Sequence, residues 1–293
     1  MRYLANKKHQ AFIKNSLNIF LYLSFIITII SFFENGFCAQ LAEYRGQLYL
    51  LLSLVFIYTF YKKFYLSSFV FLLLCIVNFF TISATNNFFA NSKNSSNIQI
   101  LFGSNQVSVS PVLEQIQKHS PDIIAITNSH LENFDMAKII PSDYTIPTPA
   151  DDMKNFMITR NNVKQSGRIH LTDNTYAPFA SIEENGTITT YIAVDFSGFS
   201  HFQINSLLKK ISLFITQQDN PVVIFGNFNT VSWSYGLSNF IAENNLSVKN
   251  AFFDNIRNLI FPPHYYILGY TEGNFSGNLI LKHLNSFSKF TRF

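Results

Sequence analysis

Along the first 82 residues the pattern is one of long apolar runs with short polar interruptions. Residues 1–15 are polar and basic, carrying Arg2, Lys7, Lys8 and Lys14, and Leu17 to Phe33 is then almost wholly apolar. That length suits a membrane-spanning helix. A basic start before an apolar middle also describes a signal peptide, but this run exceeds the usual apolar region of one and further apolar runs follow. Gln47–Tyr61 is a second run and Tyr65–Ile82 a third, separated by Lys62-Lys63. A buried helical hairpin is the other reading of these two runs, and it would need a large soluble partner to cover it. The pattern therefore predicts an N-terminal segment of three transmembrane helices over residues 1–82.

After residue 82 the pattern changes. Residues 83–97 are rich in Asn and Ser and read as a linker. From residue 98 onward short apolar runs alternate with helical spacing, as in an α/β domain. Ile98–Phe102 is a strand, and Val107–His119 a helix with Val112, Leu113 and Ile116 on one face. Residues 121–128 form a buried strand that ends in Asn128. Further strands are expected at Phe156–Arg160, Phe179–Ile182 and Tyr191–Val194, with a hairpin turn at Glu184-Asn-Gly-Thr187. Ser206–Gln217 is a helix, and Pro221–Ser234, PVVIFGNFNTVSWS, is a short buried strand that reaches a glycine and opens into a polar turn. Leu237–Asn244 is a short helix.

Composition adds a direction. Charged residues make up only 13% of the chain, about half the usual share. Residues 1–82 hold seven Lys/Arg and two Asp/Glu, net +5; the remaining fourteen and fifteen give −1. The basic balance belongs to the membrane part. A near-neutral second domain argues against nucleic acid as a partner, because such binding needs clustered cations. The basic residues before the first run and the Lys62-Lys63 pair lie on one side if three helices span, and the positive-inside rule puts that side in the cytoplasm. The expected location is a multi-pass protein of the inner (cytoplasmic) membrane with its C-terminal domain facing the periplasm or exterior. No ionisable residue falls within the three apolar cores, which argues against a transporter component. The two cysteines, Cys38 and Cys75, both precede residue 83, so the second domain has no internal disulfide.

The turn Gly226-Asn227-Phe228-Asn229, with Trp233-Ser234 four residues on, resembles the Gly-Asp-Phe-Asn…Trp-Ser run of the endonuclease/exonuclease/phosphatase superfamily, the deoxyribonuclease I-like hydrolases, and is closest to its membrane-anchored bacterial members. The resemblance covers roughly residues 97–282. It implies a four-layer sandwich over residues 98–293, two packed mixed β-sheets flanked by helices. It also implies a phosphoester hydrolase that uses a carboxylate-held divalent metal and a His–Asp general base. Its site residues carry over onto Asn105 at the end of the first strand, Asn128, Asp195, Asn227, Asn229, His264 and Asn278. Asn105, Asn229 and His264 match the family's residue types. Asn128 and Asn227 stand where the family has a metal-binding Glu and an Asp, Asp195 where it has a His, and Gly277-Asn278 where it has the closing Asp-His pair.

Amides are poor ligands for Mg²⁺, which wants one or two carboxylates, and a missing general base alone removes roughly 10²–10⁴ in rate. The expectation is a remnant site with no cofactor, on a pseudo-hydrolase that binds a partner, a lipid head group or a phosphorylated ligand beside the lipid bilayer. The alternative is an active Mg²⁺-dependent phosphodiesterase or phosphatase using Asp195, Asp122 or Glu132 in shifted roles. His130, His170, His201 and His283 show no metal-ligand spacing and are expected on the surface or in loops, and Trp233 as a core anchor.

Overall fold

The computed structural model describes residues 2–33, 36–85, 96–104, 114, 116–127, 141–147, 155–184, 186–248, 264–270 and 275–281. The chain divides into two compact units.

The first unit comprises Met1–Phe88 together with Thr230–Ser238 and part of the chain before residue 263. Its helices are α1 (Arg2–Ile30), α2 (Gly36–Glu43), α3 (Arg45–Tyr61) and α4 (Tyr65–Thr85). Two of them are long and apolar enough to cross a membrane, over Gln10–Ile30 and Tyr65–Ser83; α3 has 17 residues. The α3–α4 turn forms at Lys62-Lys63, where Lys63 takes the left-handed conformation (φ 61°) and the Phe64 N–H reaches the Thr59 carbonyl at 2.9 Å.

This unit is packed inside out. Its buried residues include Ser24, Thr28, Ser31, Arg45, Thr59, Ser68 and Asn78. Of the exposed large hydrophobic side chains among the described residues, all but Phe202 and Leu213 belong to its helices or the turns between them. The buried polar groups bond between helices: Asn78 Nδ2 donates to Thr28 Oγ1 at 3.2 Å and Ser68 Oγ to Thr59 Oγ1 at 3.0 Å. A tight apolar patch of Leu52, Phe71, Leu74 and Cys75 completes the α3–α4 contact.

The second unit carries the sheets. Among the described residues one has four strands in the order β10-β1-β2-β3, from β1 (Ser96–Ser104), β2 (Ile123–Thr127), β3 (Phe156–Thr159) and β10 (Phe275–Leu281). The other has six in the order β4-β5-β6-β7-β9-β8, from β4 (Asn162–Thr172), β5 (Thr175–Glu184), β6 (Thr187–Asp195), β7 (Val222–Asn227), β8 (Leu246–Val248) and β9 (Tyr265–Tyr270). Both sheets mix parallel and antiparallel pairs. Ile100, Phe102, Ile123, Ala125 and Met157 of the first pack against Ala180, Ile182, Tyr191, Ala193, Val223, Phe225 and Ile267 of the second in one buried core. This is the two-sheet sandwich that the resemblance implies. Helices α5 (His201–Ile215) and α6 (Tyr235–Glu243) precede and follow β7.

The hairpin expected at Glu184–Thr187 forms, with Glu184 paired to Thr187 and Gly186 at φ 79°. Several elements differ from expectation, and strands β5 and β6 both start four residues earlier than the apolar runs suggest, at Thr175 and Thr187. Helix α5 begins at His201, five residues before Ser206, because Ser200 and Gln203 cap it reciprocally. Strand β7 runs past Gly226 to Asn227. Strand β4 had no counterpart in the pattern: it is a long edge strand, half-buried or exposed except at Ile169 and Leu171, whose mixed side chains carry no clear alternation. Of the helix expected over Val107–His119, residues 116–119 are helical and residues 107–113 lie outside the described residues.

Candidate functional site

The site sits at the C-terminal ends of β6 and β7, which run parallel with Asp195 opposite Asn227. Both side chains are nearly buried, at 7% exposure each. Asn227 Nδ2 donates to Asp195 Oδ1 at 3.3 Å. The same oxygen accepts the Ser197 N–H at 2.9 Å, and Asp195 Oδ2 accepts Thr127 Oγ1 at 3.0 Å. Thr127 ends β2, so this carboxylate ties the tips of both sheets together.

Gly226 makes the approach possible. Its φ is 134°, and a Cβ there would lie 2.0 Å from the Val194 carbonyl oxygen and 3.0 Å from the Phe102 ring. No side chain fits, so the residue before Asn227 must be glycine.

Beyond β7 the chain turns on its own amides. Asn227 Oδ1 accepts the Asn229 N–H at 2.9 Å, an Asx turn. Asn229 is left-handed at φ 48°, which asparagine tolerates best after glycine. Its Nδ2 donates to the Phe199 carbonyl at 3.2 Å, just ahead of α5. The Phe228 N–H donates to the His264 carbonyl at 2.8 Å. Beneath the turn Phe196 and Phe228, both fully buried, meet edge to face at 5.9 Å. Burial holds the His264 imidazole below its ordinary pKa, and the neighbouring His201 adds to the effect; burial lowers His201 as well.

The structure therefore brings together Asp195, Asn227, Asn229 and His264. Asn105 and Asn128 lie outside the described residues, as do Glu132, His130 and His283. Asn278 is not brought to this end. It pairs with Gln99 midway along β1, five residues before Ser104, the partner of Thr127. Five residues are about 16 Å of strand. Asp122 is likewise remote: it precedes β2 at the end opposite Thr127 and pairs with Arg160 at 2.8 Å. His201, expected on the surface, is half-buried on the first turn of α5 beside His264. Thr127 was missed because a threonine closing an apolar run reads as part of the strand.

The divalent metal that the resemblance implies can be tested against these donors. Asp195 is the one carboxylate of the cluster among the described residues, and both its oxygens already accept protein hydrogen bonds. Asn227 turns its N–H, not its oxygen, toward Asp195 and uses the oxygen on Asn229. Among the described residues no three His, Cys, Asp or Glu side chains come together as a metal-holding group. These donors do not fit a hard dication, which needs oxygens free to face it. What the arrangement offers instead is a tip of two amides around one hydrogen-bonded carboxylate, with His264 and His201 beside each other, suited to hydrogen bonding.

No protein-family model matches this chain, and no curated protein matches it. Solved structures of similar fold include an endonuclease/exonuclease/phosphatase family protein from Leptotrichia buccalis (TM-score 0.44, 14% identity, covering 62% of this chain and 91% of that one). An endonuclease/exonuclease/phosphatase from Bacteroides vulgatus gives a TM-score of 0.46 at 14% identity, covering 58% and 85%. Sphingomyelinase C from Streptomyces griseocarneus gives 0.43 at 11% identity, covering 63% and 88%.

Proposed function

We propose that the second unit is a binding module on a phosphoester-hydrolase scaffold that has given up hydrolysis, and that the first unit anchors it in a membrane. One observation carries the first half. The Asn227 amide spends its N–H on Asp195 and its oxygen on Asn229, so the position where the resemblance expects a metal-binding Asp is a closed internal link. The ligand is a phosphorylated molecule or a protein partner, taken up at the tip that β6, β7 and the Asn227–Asn229 turn form. The net charge of −1 beyond residue 82 does not favour nucleic acid.

The inside-out packing of α1, α3 and α4 supports the second half, because side chains that water would reject are the ones turned outward. In this reading all three span. Helix α3, with 17 residues, is at the short end of the spanning range. The second unit then lies on the periplasmic or outer face.

The test is the full chain in lipid nanodiscs, assayed with Mg²⁺ or Mn²⁺ against DNA, a simple phosphodiester and sphingomyelin. No turnover above blank is expected. The Asn227→Asp variant places a second carboxylate against Asp195, so it should lose about 1–2 kcal/mol at pH 7 through like-charge repulsion. Millimolar Mn²⁺ should then raise its melting temperature and leave the parent's unchanged. Metal-dependent turnover by the parent, abolished by Asn229→Ala, would overturn the reading in favour of an active phosphodiesterase.

A further inference from the structure

Where the chain passes from β3 into β4 it encloses a cavity of about 620 Å³, lined by Thr145, Pro147 and residues 160–166. That volume is in the range of small-molecule sites. The cavity lies well away from the Asn227 turn. Asn162 pairs with Glu183, and Glu183 with Ile188, seven residues before Asp195 on β6. Seven residues are about 23 Å of strand.

The cavity has a closed frame. At one end Thr145 and Thr159 exchange both backbone hydrogen bonds, at 2.8 and 3.0 Å. At the other, Ser166 Oγ donates to the Pro147 carbonyl. Arg160 is fixed by Nη2, which donates to the Ser120 carbonyl at 2.5 Å and to Asp122 Oδ1 at 2.8 Å, and its guanidinium lies 5.6 Å from the Tyr144 ring centre. Lys164 is the extra residue of a β-bulge between Val163 and Gln165, a device that re-aims side chains. Its Nζ meets Glu183 at 2.7 Å.

The lining offers hydrogen bonds without net charge. Both cations are already paired, and among the described residues that line the cavity none is acidic. Asn161 Nδ2 donates to Glu184 at 2.7 Å and Asn162 Nδ2 to Glu183 at 3.3 Å, so two amide oxygens are left over. Arg160 keeps Nε and Nη1, and Gln165 its whole amide. An anion would find each cation engaged, and an apolar molecule would strip water from the unspent groups without replacing it. A molecule with several hydroxyls satisfies donors and acceptors together, because each hydroxyl is both. Val163 and Pro147 add apolar surface for its C–H groups.

We propose that this cavity is a binding site for a neutral sugar, separate from the tip of β6 and β7. The inference stands whether that tip binds or hydrolyses.

The test passes the full chain in nanodiscs, with empty nanodiscs as blank, over an array of immobilised neutral, carboxylated and sulfated glycans. Retention on a subset of the neutral glycans is expected, with release by the same sugar in free form. Asn162→Ala with Gln165→Ala changes two exposed side chains. It should weaken retention about tenfold or more, the worth of one to two hydrogen bonds, at an unchanged melting temperature. The bound sugar should slow hydrogen exchange at residues 160–166 and leave Asn227–Asn229 at the free rate. No retention, retention of acidic glycans alone, or equal retention by the double variant would each overturn the proposal. So would protection at Asn227–Asn229 in place of residues 160–166, because that puts the sugar at the tip.

Discussion

Gly226 shows how one missing side chain sets the geometry of the site. A methyl group at this position meets the Val194 carbonyl oxygen at 2.0 Å and must adopt φ 134°. Gly226→Ala is expected to cost more than about 3 kcal/mol, from the strained backbone and the clash together, as read from chemical denaturation. His264 sets a second residue-scale expectation. Burial and His201 keep its folded pKa below the ordinary 6.5, so the unfolded chain binds the extra proton first. Its contribution is complete above about pH 6.5 and is lost as the pH falls through the lowered folded value. His264→Gln should flatten the decline in melting temperature between pH 7 and 5 relative to the parent. An equally steep decline in both proteins would show that the imidazole is not the titrating group. At this scale much of the site was legible: the Gly-Asn-Phe-Asn spacing placed Asn227 and Asn229, and the apolar run before Asp195 placed its strand. What the sequence could not show was direction. That Asn227 turns its amide N–H onto Asp195 and its oxygen onto Asn229 depends on two strands meeting in register.

Among the elements, α5 is set by its cap. The Ser200 N–H donates to Gln203 Oε1 at 2.9 Å and the Gln203 N–H returns to Ser200 Oγ. Ser200→Ala should cost about 1 kcal/mol, a fall of about 2–4 °C in melting temperature for a unit of this size. Because Phe199 holds Asn229 from the adjoining residue, the same change should raise exchange at the Asn229 side chain. The cap was readable as a Ser-x-x-Gln signal, yet the apolar face of Leu207, Leu208 and Ile211 begins later and draws the boundary with it. The buried strands β2, β6 and β7 were legible as unbroken apolar runs. Strand β4 was not, since an edge strand open to water on much of its length has no apolar period to keep. Asn278 misled for a related reason: its neighbours would suit a strand end or a strand middle equally, and the register with Gln99 decides for the middle.

For the whole molecule the expectation is topological. With Lys62-Lys63 and the basic N-terminus on the cytoplasmic side, a reporter that works only after export, joined at Phe293, should be active in the full chain. A cytoplasmic reporter at the same place should be silent. The reverse pattern would overturn the proposed orientation. The long apolar runs were legible at this scale as well. The hydrogen bond from the Trp233 indole N–H to the Ala42 carbonyl was not, because nothing local links residues 191 positions apart.

The pairing of β1 with β10 governs how this chain can be made. The first strand of the sandwich lies parallel to the last, Ser96 beside Phe275 and Phe102 beside Leu281. A ribosome delivers β1 long before β10, so one side of β1 stands open, its N–H and C=O groups unmatched, until β10 has emerged. Open strand edges recruit other strands, and pairings so distant in sequence close slowly. The nascent protein thus passes through an obligatory period of vulnerability, and crowding or delayed translation near the C-terminus should cost yield well before it costs the stability of the finished molecule.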